Sequence, residues 1–210
     1  MATTLGIDPQ HLKGRHVDRA VEVLKRDGVI VYPTDTIYGL GCDVTSKAAV
    51  ERIRRIKGRD ADKPMSFVCS DLVQVSRYGH VSNFVHRILK RFLPGPYTFV
   101  LTATKETPKV LQSKQKTVGI RIPDHPVPLA LVEQLGNPVV STSANESNEE
   151  VVTNPADLEA IFGHRVDLIM ECGTLPVLAS SVISLVDDRI AILREGQGDL
   201  SYFKNELAAG

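Results

Sequence analysis

Short apolar runs of strand length alternate along this chain with segments whose apolar residues recur at helical spacing, and that alternation restricts the fold more than any other feature. Val17, Ala20, Val21 and Leu24 predict one helical face, and Gly28 stops it before a buried strand over 29–32. Pro33 ends that strand, and Gly39 with Gly41 predicts a loop whose backbone can approach a ligand. Ser46 is the expected cap of a second helix, in which Val50, Ile53 and Ile56 face inward, Arg52, Arg54 and Arg55 face outward, and Lys57 closes the end. Further strands are expected over 67–69, 97–101, 118–122 and 139–141, with helices over 82–92 and over 128–135, the latter closed by Gly136. Asn154-Pro155 supplies a cap and first-turn proline for a helix ending at Phe162. Strands over 166–170, 182–186 and 190–193 follow, the last two forming a hairpin hinged on Asp187-Asp188. The expectation is a single α/β domain, an open, twisted mixed sheet flanked by helices, without repeat or linker.

With 210 residues, 42% of them hydrophobic, the chain can bury one core and is short for two domains. The domain is placed over 17–203, with an N-terminal extension over 1–16 and a tail over 204–210. The first 16 residues lack the marks of a secretory signal, and no run approaches the roughly 20 apolar residues of a membrane span, so a cytoplasmic protein without membrane contact is expected. Cys42, Cys69 and Cys172 have no C-x-x-C spacing, and the six histidines never fall at metal-binding intervals, so reduced thiols and no tightly bound metal are expected. The zero net charge hides an asymmetry: 21 Lys and Arg stand against 11 Asp and Glu through Arg121, and 4 against 14 beyond it. That division fits either a basic face for polyanions or two parts interleaved by folding.

Common nucleotide and hydrolase motifs are missing: there is no G-x-x-x-x-G-K-[ST], no third glycine after Gly39-Leu40-Gly41, no G-x-S-x-G and no H-E-x-x-H. What remains are four polar segments beside predicted strands, where open α/β sheets bind ligands. Hydroxyls precede two glycines in the segment from Tyr32 to Gly41, which reads as a ligand loop or an ordinary turn. Lys57, Arg59 and Lys63 lie on a short stretch able to converge on phosphate oxygens, or to be a solvated charge run. Arg121 sits in a strand between apolar residues, so burial demands an anionic partner, a side chain or a bound carboxylate. A strand over 139–141 runs into Thr142, Ser143, Ala144 and Asn145, a hydrogen-bonding loop or a capped turn.

In this order the four segments resemble the threonylcarbamoyl-adenylate synthase family, whose shared unit is the YrdC-like domain. The resemblance extends to Pro94-Gly95-Pro96, Ser180-Ser181-Val182 and Arg194-Glu195-Gly196, and is strongest toward the YciO branch by Tyr97-Thr98-Phe99 and the run from Arg194 to Asp199. It implies an open YrdC-like sheet and a nucleotidyltransferase that combines L-threonine, bicarbonate and ATP into threonylcarbamoyl-AMP and pyrophosphate, for tRNA threonylcarbamoyladenosine modification. Mg²⁺ would accompany ATP. Carried onto this chain, Lys57 and Arg59 serve catalysis, and Thr34, Arg121, Ser141 and Ser181 serve threonine. Lys57, Arg59, Lys63, Thr117, Ser143, Asn145 and Arg194 serve ATP. Three positions depart from the family pattern: Val68 stands where synthases often carry a histidine, Ser181 replaces a threonine, and Asn148 replaces a glycine. The alternative is a double-stranded RNA or tRNA binder of YciO type without synthase activity, using Arg54, Arg55, Lys57 and Arg59 on phosphates.

Overall fold

The computed structural model describes residues 1–58, 65–145 and 150–209. Its strands are β1 (Thr3–Gly6), β2 (Ile30–Tyr32), β3 (Gly39–Asp43), β4 (Ser66–Val68), β5 (Tyr97–Thr102), β6 (Thr117–Arg121), β7 (Val139–Ser143), β8 (Leu168–Glu171), β9 (Ser181–Ser184) and β10 (Ala191–Arg194). They form one open sheet in the order β1-β8-β2-β3-β7-β4-β6-β5-β9-β10. The pairs β1/β8, β2/β8, β4/β6 and β5/β9 are parallel and the others antiparallel, which makes the expected mixed α/β sheet. The helices are α1 (Gly14–Lys25), α2 (Lys47–Lys57), α3 (Leu72–Tyr78), α4 (Asn83–Phe92), α5 (Pro126–Leu135), α6 (Pro155–Phe162) and α7 (Ser201–Ala209).

Local chemistry sets most helix ends. Ser46 accepts from Ala49 N (3.1 Å), Ser82 from Val85 N (3.2 Å) and Asn154 from Ala156 N (3.0 Å), each relieving an orphan donor of a first turn. Gly58 and Gly136 end α2 and α5 in the left-handed region, at φ +56° and +77°. Two apolar layers sandwich the sheet. Val17, Ala20, Val21 and Leu24 of α1 meet Val127, Leu131, Val132 and Leu135 of α5 over Ile30, Tyr32, Val68 and Val139. On the opposite side, Val50 and Ile53 of α2, Val75 of α3, Leu89 of α4, Leu158 of α6 and Phe203 of α7 share the larger core.

The expected loop at Gly39 and Gly41 is strand instead. These residues pair with Tyr32 and Ile30 on one side and with Ser143 and Ser141 on the other. Their lack of a side chain serves close packing rather than a turn, because a Cβ on Gly41 would lie 2.7 Å from the Tyr32 ring. The helix α3, capped by Asp71, and the strand β1 are additions to the expected elements. The charge asymmetry along the sequence does not become two lobes. Acidic-part strands β7, β8 and β9 insert among or beside basic-part strands, and Arg52 pairs with Asp167 at 2.5 Å. Among the described residues no helix is long and apolar enough to cross a membrane.

Candidate functional site

Strand side chains alternate between faces, so directly paired residues share one. The registers Tyr32–Gly39, Gly39–Ser143, Gly41–Ser141, Ser141–Ser66 and Ser66–Gly119 put this set on the face that α1 and α5 cover in part. Where the helices stop, the sheet opens into a cleft of about 340 Å³. Glycine at 119 keeps its floor low, since a Cβ there would come within 2.8 Å of Ser66 Oγ. Thr34, Arg121, Ser141, Ser143, Asn145 and Arg194, separated by up to 160 positions in sequence, all line this one cleft.

Arg121 ends β6 and is 9% exposed. Its partner is a side chain: Nη2 donates to Asp35 Oδ1, and also to Thr36 Oγ1 at 2.8 Å. Asp35 Oδ2 accepts from Asp124 N at 3.1 Å, which pins the β2–β3 turn to the segment after β6. Arg121 Nε is buried without a hydrogen-bond partner, so one edge of the guanidinium still has a donor to satisfy.

Arg194 reaches the same face through a backbone irregularity. Ile192 pairs with Ile183 but Arg194 pairs with Val182, so one residue, Leu193, is extruded between them and is 58% exposed. Without this bulge the two-residue period would turn Arg194 to the opposite face. It forks onto Ser180 O through Nε (3.1 Å) and Nη2 (2.8 Å), with Nη2 also 3.2 Å from Ser180 Oγ. Ser180 Oγ in turn lies 2.8 Å from Thr98 Oγ1. Burial, and then the positive field of Arg121, hold the Arg194 pKa below its ordinary value, yet an arginine stays protonated throughout the physiological range. The cleft is therefore cationic and lined with hydroxyls, which suits a ligand bearing several anionic oxygens.

Other expected site residues are placed differently. The Thr34 hydroxyl is consumed by its own turn: it accepts from Thr36 N (3.1 Å) and Ile37 N (3.2 Å) and donates to Ile37 O (2.7 Å). Ser181 points away from the cleft, accepting from Gly196 N (3.1 Å) and donating to Gly198 O (2.7 Å); its neighbour Ser180 lines the cleft instead, as strand parity requires. Thr117 sits at the opposite end of β6 from Arg121, its hydroxyl 2.7 Å from Ser113 Oγ, and does not line the cleft. Lys57 is only 1% exposed and stands behind the β7 loop, donating to Ser143 O (2.8 Å) and to Asn145 O and Oδ1 (the latter 2.6 Å). That burial removes Lys57 from any RNA-facing surface. Arg54 bonds Glu51 (2.7 Å) and Val110 O, while Arg55 is exposed. Arg59 and Lys63 lie outside the described residues.

Sequence reasoning missed Asp35, Ser180, Thr98, Ser66 and Tyr32 as parts of the site. Asp35 lies in the singled-out turn, and its availability as the anion that Arg121 needs was the signal. Tyr32 reads as an apolar strand residue until its hydroxyl is located 2.7 Å from Ser141 Oγ.

The profile of the Sua5/YciO/YrdC family, described as Telomere recombination, matches residues 22–196. The chain is 41% identical over 199 residues to the uncharacterized protein YciO of Escherichia coli K12, covering 94% of this chain and 97% of that one. The crystal structure of E. coli YciO superposes with a TM-score of 0.92 at 40% identity, covering 97% of this chain and all of that one, 100%. A threonylcarbamoyl-AMP synthase of Thiobacillus denitrificans is 39% identical over 153 residues, 70% of this chain and 78% of its own. Sua5 of P. abyssi complexed with L-threonine matches with a TM-score of 0.89 at 26% identity, over 98% of this chain and 60% of that one.

Proposed function

The chain belongs to the Sua5/YciO/YrdC family, which includes threonylcarbamoyl-AMP synthases, and on that premise we propose that its cleft makes threonylcarbamoyl-AMP and pyrophosphate from L-threonine, bicarbonate and ATP. The observation that carries this reading is the meeting of Arg121 and Arg194 in one hydroxyl-lined cleft. Arg121, whose side chain lines the cleft, is the cation placed to meet the threonine carboxylate. Held this way, the amine and the bicarbonate-derived carbamate are presented to the nucleotide as neighbours rather than as colliding solutes. The amine nitrogen bonds to the bicarbonate carbon and a C–O bond of bicarbonate breaks, releasing water. An oxygen of the resulting carbamate then attacks the α-phosphorus, the bond from that phosphorus to the bridging β-phosphate oxygen breaks, and pyrophosphate leaves.

Arg194, with Ser143 and Asn145 across the cleft, faces the nucleotide, where fixed positive charge lowers the cost of charge building on the α-phosphate. Lys57 acts on this loop from behind, by fixing the Ser143 and Asn145 carbonyls. Mg²⁺ enters with ATP as its counter-ion. Asp35, the carboxylate bonded to Arg121, is already engaged by that arginine and by Asp124 N, so it is not free to serve as a ligand for the ion.

Incubation with ATP, labelled bicarbonate and L-threonine tests the reading. Threonine-dependent pyrophosphate and a carbamoylated adenylate are expected, both lost in Arg121→Ala. No product above that variant's background overturns the synthase assignment. RNA binding with a steep salt dependence, in the absence of product, would favour the alternative of a tRNA or double-stranded RNA binder.

A further inference from the structure

Tyr32 is fully buried beneath β3, its ring so close to the backbone that a Cβ on Gly39 would lie 3.2 Å from Cζ and one on Gly41 2.7 Å from Cε1. A phenol in such a place needs a partner, and it donates to Ser141 Oγ at 2.7 Å. Burial pushes the Tyr32 phenol up to about 12, against the smaller opposing effect of the Ser141 bond, so the group is a donor at every physiological pH. Ser141 has a single hydroxyl hydrogen. With its oxygen receiving the Tyr32 proton, that hydrogen must point elsewhere, and no described residue accepts it. Ser141 lines the cleft, as does Arg121. The serine hydroxyl and the guanidinium thus border the same space.

We propose that Tyr32 is a positioning residue which, by donating to Ser141, aims the Ser141 hydroxyl proton at an oxygen of the substrate carboxylate held by Arg121. The assignment rests on the threonine reading above and adds a residue that never touches the ligand. Without the phenol, the serine hydroxyl is free to rotate among several orientations and presents its proton to the ligand only part of the time.

The test is a double-mutant cycle on L-threonine affinity, measured by titration calorimetry for wild type, Tyr32→Phe, Ser141→Ala and the double variant. Tyr32→Phe is expected to weaken binding by roughly 3- to 10-fold, the range of one modest hydrogen bond. The double variant should bind no worse than Ser141→Ala alone, and the loss should fall on KM rather than on kcat. Multiplication of the two effects in the double variant, or a Tyr32→Phe affinity within about twofold of wild type, overturns the relay. Should Tyr32→Phe fail to fold, 3-fluorotyrosine at position 32, a stronger donor of nearly the same shape, should tighten binding; unchanged affinity overturns the proposal. Wild-type protein that binds no L-threonine refutes the threonine reading along with the relay, whereas binding that is indifferent to Tyr32 refutes the relay alone.

Discussion

Replacing Asp35 by alanine tests how the cleft keeps a buried guanidinium. In the native protein Arg121 Nη2 is held by Asp35 and Thr36, while Asp35 also satisfies Asp124 N, and the two charged side chains are 11% and 10% exposed. Among the described residues the variant leaves Arg121 hydrogen-bonded to the Thr36 hydroxyl alone, and it removes the acceptor of the Asp124 amide. Breaking a buried pair by removing one partner costs about 3–5 kcal/mol, and because the cleft admits water the lower figure, about 3 kcal/mol, applies here. For a domain of this size that amounts to a fall in Tm of roughly 6–12 °C. The remaining guanidinium should then recruit an external carboxylate, so acetate should raise the Tm of Asp35→Ala more than chloride of equal ionic strength does, and more than it raises that of wild type. Asp35→Leu combined with Arg121→Met should recover most of the stability while abolishing carboxylate binding, since the pair is removed rather than broken. A Tm within 2 °C of wild type, taken as about 0.5–1 kcal/mol, would refute the reasoning, as would acetate acting equally on both proteins.

Three further outcomes follow from the same structure. Gly41→Ala drives a Cβ to 2.7 Å from both Tyr32 Cε1 and Val139 Cγ1, and should cost about 1–3 kcal/mol in urea denaturation; a neutral effect would mean that the Tyr32 ring is free to shift. Arg194→Lys loses the two-pronged contact with Ser180 O and should weaken ATP binding about tenfold, with equal affinity removing Arg194 from the nucleotide's surroundings. Burial holds the His125 pKa below that of a free histidine, so its stability contribution is complete above about pH 6.5 and is lost as pH falls through the lower folded value. The Tm advantage of wild type over His125→Asn, a variant that keeps an acceptor for Val127 N, should therefore shrink on acidification, and a constant difference between about pH 7.5 and pH 5 would contradict this.

What the sequence by itself determined is whatever depends on neighbours along the chain. The caps at Ser46 and Asn154, the glycine stop at 136 and the apolar periodicity of α1 and α2 act within a turn or two, so they were legible without a partner in view. So was the demand of Arg121 for an anion, because the cost of burying an unpaired charge holds in any fold.

Tertiary structure alone decided which atoms answer such demands. That Asp35 pairs with Arg121, that Ser180 and not Ser181 faces the cleft, and that the Leu193 bulge turns Arg194 inward depend on tertiary placement, which brings residues far apart in sequence to within hydrogen-bonding distance. A shift of one residue would reverse each of those facings. Lys57 makes the same point. The sequence offers its charge to a ligand's phosphates, whereas the fold buries it and the β7 loop supplies the carbonyls of Ser143 and Asn145 as acceptors for its ammonium.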